Sequence, residues 1–100
     1  MNFDHTELDD VIHGRLRLGI MAYLSTASPA PFLELKAKVN ATDGNLSTHL
    51  SKLEDAGYVR IEKTFEGKKP RTLVHLNKRG REAWIAYLKR LEALIGSSKA

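Results

Sequence analysis

The chain has 100 residues, 42% of them hydrophobic, which suits one compact domain with a modest core. It contains no cysteine, which excludes disulfide frameworks, thiolate zinc sites, cysteine nucleophiles and thiol-based redox sensing. The net charge of +4 is unevenly distributed: residues 1–10 carry four acids and no Lys or Arg, whereas residues 60–82 carry eight Lys or Arg and three acids. A local basic excess of this kind attracts a phosphate backbone.

The acidic N-terminus lacks the apolar run of a signal peptide or membrane anchor, and we expect residues 1–8 to form a flexible tail. The stretch DDVIHGRLRLGIMAYLS then places apolar side chains every four positions and predicts a first helix over residues 9–26. Leu18 and Met21 fall off this stripe, so the helix is apolar on two sides. The segment STASPAP ends it.

Two helices joined by a short turn at Asn40 and Ala41 predict a helix-turn-helix over residues 31–57. The second of these helices begins at Thr42, a good N-cap residue, and ends at Gly57, where a left-handed C-cap favours glycine. Its outward face carries small polar residues, which form helices poorly but hydrogen-bond to base edges and phosphates. The predicted DNA contacts of this helix are Asp43, Gly44, Asn45, Ser47, Thr48, Ser51 and Lys52.

Residues 58–76 predict a β-hairpin wing, because YVRIEKTF and TLVHL are strand-like runs on either side of the turn EGKKPR. We expect a long, basic tip, with Phe65 and Leu73 packed within the hairpin. The tip directly follows the helix-turn-helix, which favours contact with phosphates and insertion of Arg71 in a minor groove. The alternative is a charged tip that only blocks edge pairing. The predicted wing contacts are Lys63, Lys68, Lys69, Arg71 and Thr72.

Asn77 begins a last helix that we predict over residues 77–95, with GSSKA as a fraying tail. This helix and the first are apolar over more than one face, whereas a domain of this size has one core to fill. We expect the surplus to lie between the subunits of a twofold dimer, with a monomer that has a broad core as the alternative. The predicted interface consists of Leu18, Met21, Tyr87, Leu91 and Leu94.

The stretch DGNLSTHLSKLEDAGYVRIEKTFEGKKPRTLVHLNKRGREAW resembles the winged-helix transcriptional regulators, in particular the small MarR-like group. The shared pattern is a helix with spaced leucines, Gly–Tyr–Val, a wing, and Leu–Thr–x–x–Gly–Arg at the final helix, where Asn77 replaces the usual Thr. The resemblance covers nearly the whole chain and implies an α+β, mostly helical winged-helix fold in one domain over residues 1–100. That fold has three helices, a β-hairpin wing and a C-terminal dimerisation helix, and these proteins are generally homodimers joined through their terminal helices.

We therefore interpret the chain as a cytoplasmic, nucleoid-associated transcriptional regulator that binds double-stranded DNA as a homodimer on a palindromic operator. The alternative is a winged-helix module for protein interaction or for architectural DNA binding without sequence preference. The sequence shows no Gly-rich phosphate loop, no recognisable nucleophile–histidine pair and no convergent acid pair, so we expect neither enzymatic activity nor a cofactor. A small-molecule effector is a further partner that the sequence leaves open.

The histidines raise the question of a metal site. His5, Asp9 and His13 are spaced four residues apart and would share one face of a continuous helix, an arrangement that can bind zinc or nickel. No fourth ligand accompanies them, so we expect structural or solvated histidines and no metal site. His49 lies beside the leucine stripe of the DNA-contacting helix, where it either reaches a phosphate or hydrogen-bonds within the domain, and we favour the second.

Overall fold

Four helices and a small antiparallel sheet make up the chain, and the computed structural model describes residues 3–99. In chain order the elements are a 3-10 turn (His5–Glu7), α1 (Arg15–Leu24), β1 (Ala30–Pro31), α2 (Phe32–Lys38), α3 (Asp43–Asp55), β2 (Val59–Glu66), β3 (Lys69–Leu76) and α4 (Lys78–Lys99). The strand order is β1–β3–β2, and both pairs are antiparallel. The predicted winged-helix fold is confirmed.

One hydrophobic core joins the helices to the sheet. Ile20 and Leu24 of α1, Leu46 of α3 and Val74 of β3 are all fully buried in it. Helix α1 contacts α2, α3 and α4, so its apolar surface on more than one side serves packing within the chain. Apolar burial of this kind is the main favourable contribution to the folding free energy.

The first helix begins at Arg15 rather than at the predicted residue 9, because the backbone of Gly14, just before it, is extended (φ −162°, ψ 140°) and interrupts the helical path. A separate turn precedes it: the N–H of His13 bonds to the carbonyl of Asp9 (2.8 Å), and the Asp9 carboxylate caps the turn by accepting the N–H groups of Val11 (2.8 Å) and Ile12 (3.3 Å). The predicted flexible tail instead contains regular structure: a 3-10 turn precedes Leu8, and the side chain of Leu8 lies in the core. Residues 1 and 2 of that tail lie outside the described residues.

The wing is a tight hairpin, and the predicted long tip is wrong. Strands β2 and β3 pair up to Glu66 opposite Lys69, so the turn contains only Gly67 and Lys68. Gly67 has a φ of 64°, the left-handed conformation that glycine adopts without steric cost and that two-residue hairpin turns require. Pro70 lies inside β3, at a position where the N–H that it lacks would point away from β2.

A third strand, which the sequence did not predict, comes from the segment after α1. Ala30 pairs with Val74 and Pro31 with Leu73, so β1 covers only the base of the hairpin. The Ser28 hydroxyl accepts the N–H of Leu76 (2.8 Å) and ties the same segment to the end of β3. Beyond Leu73 the wing continues as a two-stranded ribbon, because β1 pairs no further along it.

Helix α4 has 22 residues, which corresponds to a length of about 33 Å at 1.5 Å per residue. It extends past the predicted end at residue 95, and the hydroxyls of Ser97 and Ser98 bond back to preceding carbonyl oxygens of the helix. At the other end, Trp84 and Tyr87 stack with ring centroids 5.9 Å apart. Among residues 3–99, no helix combines the length and the apolar character needed to cross a bilayer.

Candidate nucleic-acid interface

Helix α3 is held by its inward face and by both of its ends. Leu46 and Leu53 are fully buried, and the Thr42 hydroxyl accepts the N–H of Asn45 (3.2 Å) at the start of the helix. At its end Gly57 has a φ of 80°, and the N–H of Tyr58 returns to the carbonyl of Leu53 (2.9 Å). This is the Schellman arrangement, which satisfies the last carbonyl groups. The predicted cap and terminator are confirmed, and they fix which face of α3 points outward.

The outward face of α3 carries all the residues of this helix that are predicted to contact DNA. These side chains all lie in solvent, and none belongs to the buried core: Asp43, Gly44, Asn45, Ser47, Thr48, Ser51 and Lys52. Asp43 forms an ion pair with Lys36 of α2 (2.8 Å), so its charge is already neutralised within the helix-turn-helix. A Cβ added at Gly44 would meet no atom within 4 Å, so nothing in the described chain requires a glycine there. Their role in binding stays a prediction.

A groove of about 650 Å³ separates α3 from the wing. Ser47 and Ser51 line its helical side, and Lys63 and Thr72 line its sheet side. Glu54 fixes the distance between the two sides, because its carboxylate accepts the N–H of Ile61 (3.3 Å) at the free edge of β2. Helix α3, which the sequence predicts to be the recognition helix, and the sheet are thereby joined at the base of the groove.

The predicted basic residues of the wing are all on its surface, but on two different faces. Lys63 and Thr72 form a cross-strand pair on the groove face, whereas Lys69 and Arg71 lie on the opposite face. On that opposite face, Arg71 pairs with Glu66 (3.6 Å). The expectation that Leu73 packs within the hairpin agrees with its half-buried position.

Phe65 does not pack within the hairpin, and that expectation is wrong. Its side chain is 69% exposed. It lies opposite Pro70, next to the turn and beyond the residues that pair with β1, so no third strand of the described chain pairs with that part of the ribbon.

Two residues beside the recognition helix were not predicted as part of the site. Arg17 of α1 donates from Nη1 to Nδ1 of His49 (2.9 Å) and from Nε to the carbonyl of Val11 (2.5 Å). Arg15, at the start of α1, faces Asn45 across a second groove of about 660 Å³. Both arginines are about thirty residues away from α3 in sequence, so no local pattern could associate them with it.

The predicted hydrogen bond of His49 within the domain is confirmed. Because a guanidinium group only donates, Nδ1 of His49 accepts the bond and carries no proton. Burial lowers the pKa of His49, and the positive charges of Arg17 and Lys52 lower the pKa further. His49 is therefore held neutral on the recognition helix.

Two of the three residues considered for a metal site have other side-chain partners. Asp9 accepts the phenol hydrogen of Tyr58 (2.5 Å), and Nδ1 of His13 lies 2.8 Å from the Tyr87 hydroxyl. His5 belongs to the 3-10 turn, so no continuous helix aligns it with Asp9 and His13. Residues 3–99 contain no cluster of three His, Asp or Glu side chains that could hold a metal ion. Burial and the bond to Asp9 raise the pKa of Tyr58 to about 12.

Two of the predicted dimer contacts are wrong, because they belong to the core of the chain itself. Met21 is fully buried and Tyr87 is 1% exposed, so neither has surface left for a second subunit. The other three are half-buried side chains packed at the margin of the core: Leu18, Leu91 and Leu94. The apolar side chains that α4 leaves open to solvent are instead Ile85, Leu88 and Ile95.

Comparison with known proteins gives consistent results. Residues 16–95 match the family model described as a winged helix DNA-binding domain. An uncharacterized protein of Methanocaldococcus jannaschii is 35% identical over 78 residues, which cover 78% of this chain and 85% of that protein. The solved structure of a transcriptional regulator homologue from Pyrococcus horikoshii OT3 superposes with a TM-score of 0.85 at 32% identity, covering 90% of this chain and 89% of that one.

A solved structure described as a MarR-family transcriptional regulator shares the fold at lower sequence identity. It comes from Silicibacter pomeroyi and superposes with a TM-score of 0.68 at 22% identity. The match covers 88% of this chain and 58% of that chain. The architecture of helices, sheet and wing described above is thus that of MarR-type proteins.

Proposed function

The chain belongs to the winged helix DNA-binding domain family, and from this premise we propose that it is a transcriptional regulator that binds a palindromic operator as a homodimer. Its place of action is the cytoplasm, at the nucleoid. Each subunit sets α3 in a major groove and lays its wing along the adjacent backbone or minor groove. The function of the regulator homologue from Pyrococcus horikoshii, at 32% identity, supports this assignment.

The single observation that carries the proposal is the exposed polar face of α3. Ordinary solvated helices fill such a face with Glu, Lys and Arg, which favour helix and solubility. Here Asn45, Ser47, Thr48 and Ser51 occupy it, although none of them is a strong helix former. Their short side chains suit hydrogen bonds to base edges at close approach, and Gly44 leaves the first backbone amides open to a phosphate. We therefore assign base discrimination to these four polar residues.

The wing supplies charge. Lys63 extends the polar face of α3 across the groove, and Lys68 occupies the turn itself. Lys69 and Arg71 add positive charge on the other face, where Glu66 offsets part of it. A duplex that lies against α3 meets the groove face first, so Lys63 and Lys68 neutralise the nearest phosphates. Lys52, Arg71 and Thr72 complete this contact surface.

The homodimer is proposed from α4. Ile85, Leu88 and Ile95 follow one side of this helix and remain 48%, 43% and 45% exposed. A row of exposed apolar side chains on a long terminal helix is best covered by the same row of a second copy, because a twofold contact is self-complementary. The half-buried Leu18, Leu91 and Leu94 extend that surface. Two recognition helices held in this way read two half-sites of opposite orientation.

Selection of bound sequences from random duplex DNA tests the proposal. A palindromic consensus is the expected result, and the Thr48→Ala and Ser51→Ala variants should weaken preference for it by about 1–3 kcal/mol per lost base contact. Ser98→Ala, near the end of α4, is the matched control and should select the same consensus. Binding without enrichment would favour architectural DNA binding, and absence of binding would favour a protein-interaction module.

A further inference from the structure

The outer part of the wing presents an aromatic side chain to solvent in an unusual setting. Phe65 is 69% exposed and lies opposite Pro70, next to the two-residue turn. Beyond the last pair with β1, at Leu73, the hairpin continues for four cross-strand pairs, a reach of about 13 Å at 3.3 Å per residue. Phe65 and Pro70 therefore form a small apolar tip on a projecting ribbon.

The direction in which this tip points follows from the alternation of side chains along β2. Val59 and Ile61 face the core, so Lys63 and Phe65 lie on the same face of the strand. Lys63 lines the groove opposite Ser51 of α3. Phe65 is therefore on the side of the wing that a duplex seated against α3 would meet.

The charges around the tip favour a polyanionic partner. Lys63 and Lys68 flank Phe65 along the chain, and no ion pair to either lysine is formed among residues 3–99. The acids of this part of the hairpin, Glu62 and Glu66, lie on the opposite face, where Glu62 pairs with His75 and Glu66 with Arg71. An apolar protein surface would have to desolvate these lysines, whereas a nucleic acid would neutralise them.

We propose that Phe65, supported by Pro70, is an apolar wedge that enters the minor groove beside the operator half-site and partly unstacks one base step. Apolar side chains on minor-groove ribbons and arms act in this way and bend the duplex toward the major groove. The ligand is double-stranded DNA, and the inference rests on the proposed function. Pyrimidine–purine steps unstack most easily. The half-site should therefore prefer TA or CA where the wing enters the minor groove, without any hydrogen bond to a base there.

The test uses full-length protein and duplexes of the selected site with 2-aminopurine at successive positions, whose fluorescence rises when the base is unstacked. The wild-type protein should raise the fluorescence at one step under the wing. Phe65→Ala should abolish that rise and weaken binding at least tenfold, the effect of losing one buried aromatic contact. Phe65→Leu, which keeps an apolar wedge, should retain most of both effects.

Phe3→Ala is the matched control, because Phe3 is 58% exposed and lies outside the wing. It should bind and unstack DNA as the wild type does. Lys68→Ala should weaken binding in a salt-dependent manner and leave the fluorescence rise intact.

Four outcomes would overturn the wedge. If the wild-type protein binds the selected site without raising the fluorescence at any step, the wedge is removed and the proposed function still stands. Equal affinity of Phe65→Ala and wild type would also remove the wedge and leave the proposed function standing. A change in the sedimentation coefficient of Phe65→Ala would do the same, because it would assign Phe65 to a contact between subunits. Wild-type protein that binds no duplex removes the proposed function and the wedge together.

Discussion

The carbonyl oxygen of Tyr58 occupies the space in which a side chain on Gly80 would begin, since a Cβ at Gly80 would lie 2.1 Å from that oxygen. The same carbonyl accepts the N–H of Asn77 (2.9 Å), and Nδ2 of Asn77 donates to the carbonyl of Gly57 (3.2 Å). The end of α3, the start of β2 and the first turn of α4 therefore meet through their backbones.

Gly80→Ala should destabilise the chain by about 2–3 kcal/mol or more, because the added methyl group meets backbone that cannot turn aside. Urea unfolding followed by circular dichroism measures the change. Gly96→Ala, in the same helix with nothing within 4 Å, is the control and should stabilise by roughly 0.5–1 kcal/mol. Equal effects of the two substitutions would contradict the close contact at Gly80.

Tyr58→Phe should cost about 1.5 kcal/mol at pH 8, because the phenol donates to the Asp9 carboxylate and a bond to a charged acceptor is lost. The effect depends on pH. The folded chain raises the pKa of Tyr58 to about 12, by burial first and by the bond to Asp9 second. Because the pKa of Tyr58 is higher in the folded chain than its unfolded value near 10, the protonated phenol contributes its full stabilisation below pH 10. That stabilisation is lost as the pH rises from 10 to 12.

The difference in unfolding free energy between wild type and Tyr58→Phe should therefore shrink between pH 10 and pH 12. Subtracting the two unfolding free energies cancels the contributions of the other groups that titrate in this pH range. A difference that stays constant across it would show that the phenol of Tyr58 titrates as it does in the unfolded chain.

Gly44→Ala should separate stability from binding. Alanine in the first turn of α3 should stabilise the fold by up to about 1 kcal/mol, since its Cβ meets nothing within 4 Å. The same methyl group would stand where a phosphate approaches the backbone amides, and loss of one bond to a charged group corresponds to roughly tenfold weaker binding. Fluorescence anisotropy with the selected duplex measures the affinity, and undiminished binding would place the backbone of Gly44 away from DNA.

The double variant Lys68→Ala and Lys69→Ala should weaken binding to all duplexes alike. Each lost phosphate contact lowers the slope of log affinity against log salt by roughly 0.9, so the pair should lower it by about two. Lys89→Ala, which removes one positive charge from α4 outside the wing, is the control and should leave the slope unchanged. An unchanged slope in the double variant would show that Lys68 and Lys69 do not contact DNA.

Leu88→Glu together with Ile95→Glu should yield monomers in sedimentation, because the charges would be buried against a second α4. These monomers should bind half-sites only weakly. For the wild type, insertion of about five base pairs between half-sites should abolish tight binding, since the second half-site rotates to the opposite face of the duplex. Leu33→Glu, at an apolar position on α2 that is more exposed (73%), should leave the dimer intact. Wild-type protein that sediments as a monomer would contradict the dimer.

Signals within one element were sufficient to predict α3 and its exposed face. The spacing of Leu46, Leu50 and Leu53, the cap at Thr42 and the terminator at Gly57 act over a few residues, and all are found as expected. The helical periodicity of a single segment decides which side is buried when only one neighbour covers it.

Features that depend on distant partners could not be predicted in this way. Met21 and Tyr87 look like surplus apolar residues until α1 is placed among three other helices. The sequence suggests that Phe65 packs within the hairpin, but β1 stops at Pro31, so no third strand reaches Phe65 and its side chain stays exposed. The turn before α1 is held by Asp9, which accepts hydrogen bonds from nearby N–H groups and also from the phenol of Tyr58, 49 residues away.

The contact between Glu54 and the edge of β2 bears on how such proteins diverge. On α3 the residues that dock the helix, the leucines and Glu54, are a different set from the residues proposed to read bases. After gene duplication, substitutions at Asn45, Ser47, Thr48 and Ser51 could therefore change the operator while the helix keeps its packing against the sheet. A graft of the whole helix from a paralogue without an acid at position 54 would instead leave the N–H of Ile61 without its acceptor. Under the proposed function, a change of operator would need substitutions at only these four surface positions and would leave the scaffold that orients them unchanged.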